Sequence, residues 1–314
     1  MTIMSLWSCL RHLVVGVCSA ALLISQANLH AAEPLPSEWV FIDNGQVRLG
    51  VKKASGAGIA WFSRSGSKEN LLDHFDHGRL VQQSYYGKVD GSIWSGKPWR
   101  WNPVQGGDYQ HHASEVLELT HDATTLRAVV RPRNWAGGQL LPDCEMAQQV
   151  RLEGAVAIIK FTFRYQGTET HPAVHQEVPA VFINPAYGHM VIYGGGEPWT
   201  GGALTKSQPG WPNESRNIPE GWAAWVNDQN TGVALFSPVA KSLTCYRFGS
   251  SPAAPGACSY FAPVVTFAIT PGLLFEYEAA LTLGTPEEMR ASFRKLKDRL
   301  AAKLPAPPPA LPVK

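Results

Sequence analysis

From Trp39 onward the chain is a succession of short apolar or alternating runs, each closed by a turn signal, and no linker divides it before residue 283. The runs are Trp39–Asp43, 46–51, 58–63, 79–85, 116–120, 125–132, 147–152, 155–165, 173–183, 190–193, 223–227, 232–237, 242–248, 264–270 and 274–283. About fifteen short strands with turn-rich connections point to antiparallel pairing, because parallel strands need long crossovers. Only one segment reads as a helix. Pro286, Glu287 and Glu288 open it, Met289, Phe293, Leu296 and Leu300 recur at helical spacing, and basic residues crowd its C-terminal half. The expected fold is all-β: one large antiparallel two-sheet sandwich over residues 33–303, with a peripheral C-terminal helix and a Pro-rich tail at 304–314.

Before the first strand, Arg11 and His12 precede an apolar stretch over 13–24, and Ala31-Ala32 follows. This is the pattern of a cleavable signal peptide, too short to span a bilayer. Residues 1–32 are therefore expected to be removed and the mature chain to be secreted or periplasmic, with no membrane span. In such an oxidising compartment Cys245 and Cys258, which flank a turn-like Gly/Ser/Pro segment, are the plausible disulfide, with Cys144 left over.

Charge excludes one partner class. Lys and Arg number 27 against 25 Asp and Glu, a net of +2, so there is no basic field to hold a phosphate backbone and no nucleic acid is expected. The chain instead carries 11 Trp, five of which (Trp94, Trp99, Trp101, Trp199 and Trp211) fall in polar, Gly- and Pro-rich stretches where a sandwich would have loops. Segment 94–112 holds Trp99, Trp101, Asn102, Asp108 and His111 and shows no strand-like alternation. Segment 193–216 holds Glu197, Trp199 and Trp211. Flat rings beside amides and carboxylates suit a sugar, whose C–H faces stack on aromatics while its hydroxyls hydrogen-bond. The same rings could instead fold back to cap the core.

Two strands carry polar residues that a buried sheet does not need. In 171–181, His175 and Glu177 fall on one face and Gln176 on the other, so a base and an acid would stand side by side. In 79–86, Arg79, Gln83 and Tyr85 share one face, which would line a wet pocket. His175, Glu177 and Asp108 are thus the candidate catalytic groups, and Arg79, Gln83, Tyr85, Trp99, Trp101, Asn102, His111, Glu197, Trp199 and Trp211 the candidate substrate contacts. No metal is expected, because neither Asp73–His77 nor His111-His112 has the spacing of a zinc or calcium site. No cofactor is expected either, because Gly194–Gly196 lacks the Gly-Lys-Ser/Thr ending of a phosphate cradle, and serine-hydrolase chemistry is not expected, because no Gly-x-Ser-x-Gly follows a strand.

The run 78–86, the pair Trp222–Val226 and 232–238, and the closing 275–283 give the chain a resemblance to the galactose mutarotase-like supersandwich group. That resemblance implies a carbohydrate on a concave sheet face; the group includes aldose epimerases, polysaccharide lyases and domains of glycoside hydrolases. The Asn-His-x-Tyr/Phe setting of mutarotases is absent here. His175 is the counterpart of the central-strand His, and Glu276 or Glu278 would be that of the late Glu. The expected function is cleavage of a poly- or oligosaccharide by a monomer, as a glycoside hydrolase or polysaccharide lyase, with non-catalytic sugar binding as the alternative. Intact mass of the exported protein should begin at or next to Glu33; material beginning at Met1 would contradict the leader.

Overall fold

A computed structural model describes residues 38–301. The expected leader (1–32) and the tail from 304 lie outside them. Within the described residues the strands form sheets of nine, seven, three and two members. The nine-stranded sheet is built from sequence neighbours: Cys144–Glu153 pairs with Val156–Tyr165, Trp222–Val226 with Gly232–Phe236, and Leu274–Gly284 joins the two hairpins. The second hairpin is tight because Gly232 lies against Trp225, where a Cβ would meet the Trp225 carbonyl oxygen at 1.9 Å.

The seven-stranded sheet is centred on His171–Ile183, which pairs with Cys258–Ile269 on one side and the short Gln82–Ser84 on the other. All pairings are antiparallel. One face of this sheet supplies Val178, Val181, Ile183, Leu243, Phe261 and Phe267 to a core shared with Ile159, Phe161, Phe163 and Leu281 of the larger sheet. That core is the sandwich expected from the strand pattern.

Helix Pro286–Ala301 covers the far face of the nine-stranded sheet. Thr285 and Glu288 cap it reciprocally: the Glu288 N–H donates to Thr285 Oγ1 (3.3 Å) and the Thr285 N–H to Glu288 Oε2 (2.8 Å). Its Met289, Phe293 and Leu300 pack on Trp222, Val226 and Phe236. Beside them Arg290 pairs with Glu220, which is buried and also accepts the Trp222 indole N–H (2.8 Å).

Two expectations are corrected. Segment 94–112 is not free of strands: Val89–Trp94 and Lys97–Arg100 form a separate hairpin. Ser95 and Gly96 both take positive φ (53° and 74°), the two-residue turn that matches strand twist. Cys144, Cys245 and Cys258 are free buried thiols. Cys245 stands opposite Phe261 on the core face, whereas Cys258 shares the parity of Tyr260 on the other face, so the sheet itself separates them.

Phe293 is fully buried between helix and sheet. Phe293→Ala should cost about 3–5 kcal/mol, read as a lowered urea midpoint with β-rich circular dichroism retained.

Candidate functional site

The seven-stranded sheet has a second face, turned away from the core, that is rich in polar and aromatic groups where the first is mostly apolar. Gln82, Ser84, Tyr86, Glu177, Tyr246 and Tyr260 line the floor of a cleft of about 360 Å³. Its walls are aromatic: Trp94 and Trp99 from the separate hairpin, Trp135, and Trp211. Trp94 and Trp99 meet edge to face with ring centres 4.8 Å apart, and Trp211 stands against Tyr246 at 4.9 Å with 58% of its surface exposed. A second hollow of about 690 Å³ continues along the same face past His175, Thr244 and Thr266. The two hollows share Tyr86, Trp99, Glu177 and Asn213.

Glu177 sits at the junction, 8% exposed. Its Oε1 accepts the hydroxyls of Tyr86 (3.0 Å) and Tyr260 (2.5 Å). Burial raises its pKa above the ordinary 4.5, opposed by hydrogen bonds from Tyr260, Tyr86 and Ser84. The phenols are also raised well above 10, by burial first and then by the neighbouring carboxylate. They therefore remain proton donors to Glu177 at neutral pH. The other cleft carboxylate, Asp76, is occupied: Arg79 Nη1 donates to it at 2.5 Å and the N–H groups of Gly78 and Arg79 at 2.9 Å each.

His175 lies on the same face as Glu177 and lines the second hollow; its Nδ1 is 2.8 Å from Thr266 Oγ1 and the side chain is exposed. Gln176 points the other way and clasps Tyr86, whose N–H donates to its Oε1 (2.6 Å) while its Nε2 donates to the Tyr86 carbonyl (2.9 Å). Arg79, Trp99, Asn102 and Trp211 also line the cleft. Asn102 is spent on structure there, donating to Ser84 Oγ (3.2 Å) and the Tyr85 carbonyl (2.7 Å).

The remaining expected contacts lie elsewhere. Gln83 and Tyr85 face the inter-sheet core, with Tyr85 stacked on Phe163 and donating to Gln83 Oε1 (3.0 Å). The parity fails because Arg79 precedes the paired residues, which begin with the bridge of Val81 to Ile59, and the turn Asp76–Arg79 brings the guanidinium to the outward side. Trp101 is buried against His171 with ring centres 4.0 Å apart. Asp108 is buried outside the cleft and accepts the N–H groups of Gln110 and His112 and contacts the His112 ring, all at 2.9 Å, while His111 borders the same loop. Trp199 packs on Phe236 under the helix, and Glu197 is an exposed loop residue; neither lines the cleft. Glu276 and Glu278 lie on the nine-stranded sheet, held by Lys160 (2.8 Å) and Arg151 (3.2 Å).

Residues missed in the sequence are Gln82, Ser84, Tyr86, Trp94, Trp135, Phe182, Tyr246 and Tyr260. The available signal was parity: Tyr86 and Ser84 alternate with core residues, and Phe182 and Ala180 follow Glu177 across an irregularity in pairing. Among the described residues no group of three His, Cys, Asp or Glu is placed to hold a metal, and no helix is long and apolar enough to cross a membrane.

No protein-family model matches the chain, and no curated protein matches it significantly in sequence. Solved structures match in fold. A candidate aldose 1-epimerase from Escherichia coli K12 aligns over 78% of this chain and 98% of its own, with TM-score 0.50 and 16% identity. A galactose mutarotase-like protein from Lactobacillus casei ATCC 334 aligns over 78% and 99%, with TM-score 0.50 and 11% identity. The chain has the galactose mutarotase-like β-sandwich fold.

Two buried carboxyls favour the proton in the folded state: Glu177, and Asp73, which burial raises from 3.8 to about 6. The folded protein then binds more protons than the unfolded chain above their ordinary values, so this contribution to stability is present at low pH and is lost as pH rises toward about 6. Glu177→Gln should remove its share: denaturation at a series of pH values should show the variant gaining on wild type above pH 4.5. A constant difference across that range would contradict the shift.

Proposed function

We propose that this protein is an exported carbohydrate-active protein that binds an oligo- or polysaccharide in the aromatic-walled cleft and acts on it by proton transfer at Glu177. The observation that carries this reading is a carboxyl with raised proton affinity at the junction of two hollows, walled by half-buried indole rings and the exposed ring of Trp211. Rings such as Trp99 and Trp211 offer stacking surfaces for sugar C–H faces. A carboxyl poised nearer neutrality both donates and accepts a proton efficiently.

Asp76 is engaged by Arg79, so the available partner for Glu177 is His175 in the adjoining hollow. One group would take a proton and the other would give one to the departing glycosidic oxygen. In hydrolysis water adds across the broken bond; in elimination the base removes a C–H proton and a C=C bond forms in the product. The fold is shared with proteins named for aldose epimerase and galactose mutarotase chemistry, which supports a sugar as the ligand.

A panel of polysaccharides, digested and read by product mass and by ultraviolet absorbance of unsaturated uronates, tests the reaction. Glu177→Gln should lower turnover by about 10²–10⁴-fold with the fold intact. Full turnover in that variant would remove Glu177 from the chemistry; sugar binding without products from any glycan would make this a binding protein.

A further inference from the structure

The two hollows on the outward sheet face differ in chemistry. One is walled by indoles, with its arginine, Arg79, already neutralised by Asp76. The other is lined by the hydroxyls of Ser242, Thr244 and Thr266, by His175 and by Arg100. Arg100 is exposed and forms no ion pair among the described residues; its guanidinium rests 6.0 Å from the centre of the Tyr86 ring, beside the phenol that donates to Glu177. A guanidinium held over a ring at the edge of a groove and lacking a carboxylate is suited to bind one from a ligand. The hollows share their junction, so a ligand that fills both must be longer than one ring.

Resting on the carbohydrate reading above, we propose that the groove takes a stretch of an acidic saccharide, one ring stacked in the indole-walled hollow and the anionic group of a neighbouring ring on Arg100 in the hydroxyl-lined one. The anion is a carboxylate or a sulfate; both satisfy a guanidinium fork. The carboxyl at the junction, Glu177, accepts two phenol hydroxyls and is kept toward its neutral form by burial, which reduces repulsion of an incoming anion. The hydroxyls, able both to donate and to accept, suit the remaining sugar oxygens.

Binding of the mature chain to three hexasaccharides of similar length tests this: an oligogalacturonate, a sulfated heparin fragment and a neutral cello-oligosaccharide. At low salt at least one acidic hexamer should bind about tenfold more tightly than the neutral one, and the tighter acid identifies the group. Arg100→Gln, at an exposed position, should abolish that preference while leaving neutral binding in place. Trp211→Ala should weaken acidic and neutral ligands alike. Dimers should bind far more weakly than hexamers. Equal affinity for neutral and acidic hexamers, or a preference that survives Arg100→Gln, overturns the inference and leaves the carbohydrate reading standing. No binding by any of the three, nor by a broad glycan array, overturns both.

Discussion

The strand His171–Ile183 lies at the centre of the seven-stranded sheet and has to serve both of its faces. Inward it must close a core against the larger sheet, which Val178, Val181 and Ile183 do. Outward it carries Glu177, Ala180 and Phe182. A strict period of two would not give both sets, because 178 and 181 are an odd number of residues apart; the pairing irregularity between Glu177 and Val181 absorbs the extra residue. Glu177 therefore emerges on the cleft floor just before the irregularity and Phe182 just after it. A one-residue shift in this strand would bury Glu177 in the core and turn valines to solvent.

Polar residues on both faces of the adjoining strand have two separate causes. Inside, Gln83 is one link in a chain of amides: its N–H donates to Gln105 Oε1 (3.3 Å), Gln105 Nε2 donates to Gln148 Oε1 (3.0 Å), and Gln148 Nε2 donates to the Ala57 carbonyl (2.6 Å). Buried amides are tolerated when they satisfy one another, and these cross-link the two sheets where the short strand Gln82–Ser84 supplies few ladder bonds of its own. Outside, Ser84 and Tyr86 are polar because they border the cleft. One strand thus contains a structural polar face and a cleft-lining one, and composition alone does not distinguish them.

This explains what the sequence made legible and what it hid. Strand succession, antiparallel pairing and the helix from Pro286 follow from periodicity and turn chemistry, which are local. Glu177 and His175 could be paired on one face because two residues apart in a strand is a local relation as well. Whether a ring in a loop points to solvent or to the core is not local. Trp99 and Trp101 are separated by one residue, yet the first lines the cleft and the second stacks on His171, because the strand ends at Arg100 and the chain turns into the core. Trp199 and Trp211 diverge for a similar reason: Arg290 and Glu220 hold the loop of Trp199 beneath the helix, where Glu220 Oε1 accepts the Trp199 N–H at 2.7 Å.

The cleft is also separable, in physical terms, from the sandwich that supports it. Its floor belongs to a sheet whose stability comes from the opposite face, while its walls are a small hairpin and loops that contribute little to the core. Trp94 and Trp99 are positioned by contact with each other, by the turn at Ser95-Gly96 and by the bond from Trp99 Nε1 to Asn102 (3.3 Å). Substitutions in the hairpin can therefore reshape the cleft walls with little effect on the core, whereas the carboxyl beneath is fixed by the central strand and by two phenols, buried Tyr260 and partly buried Tyr86. The carboxyl thus lies on the rigid central strand and the aromatic walls on appended segments, so the two can vary independently of one another.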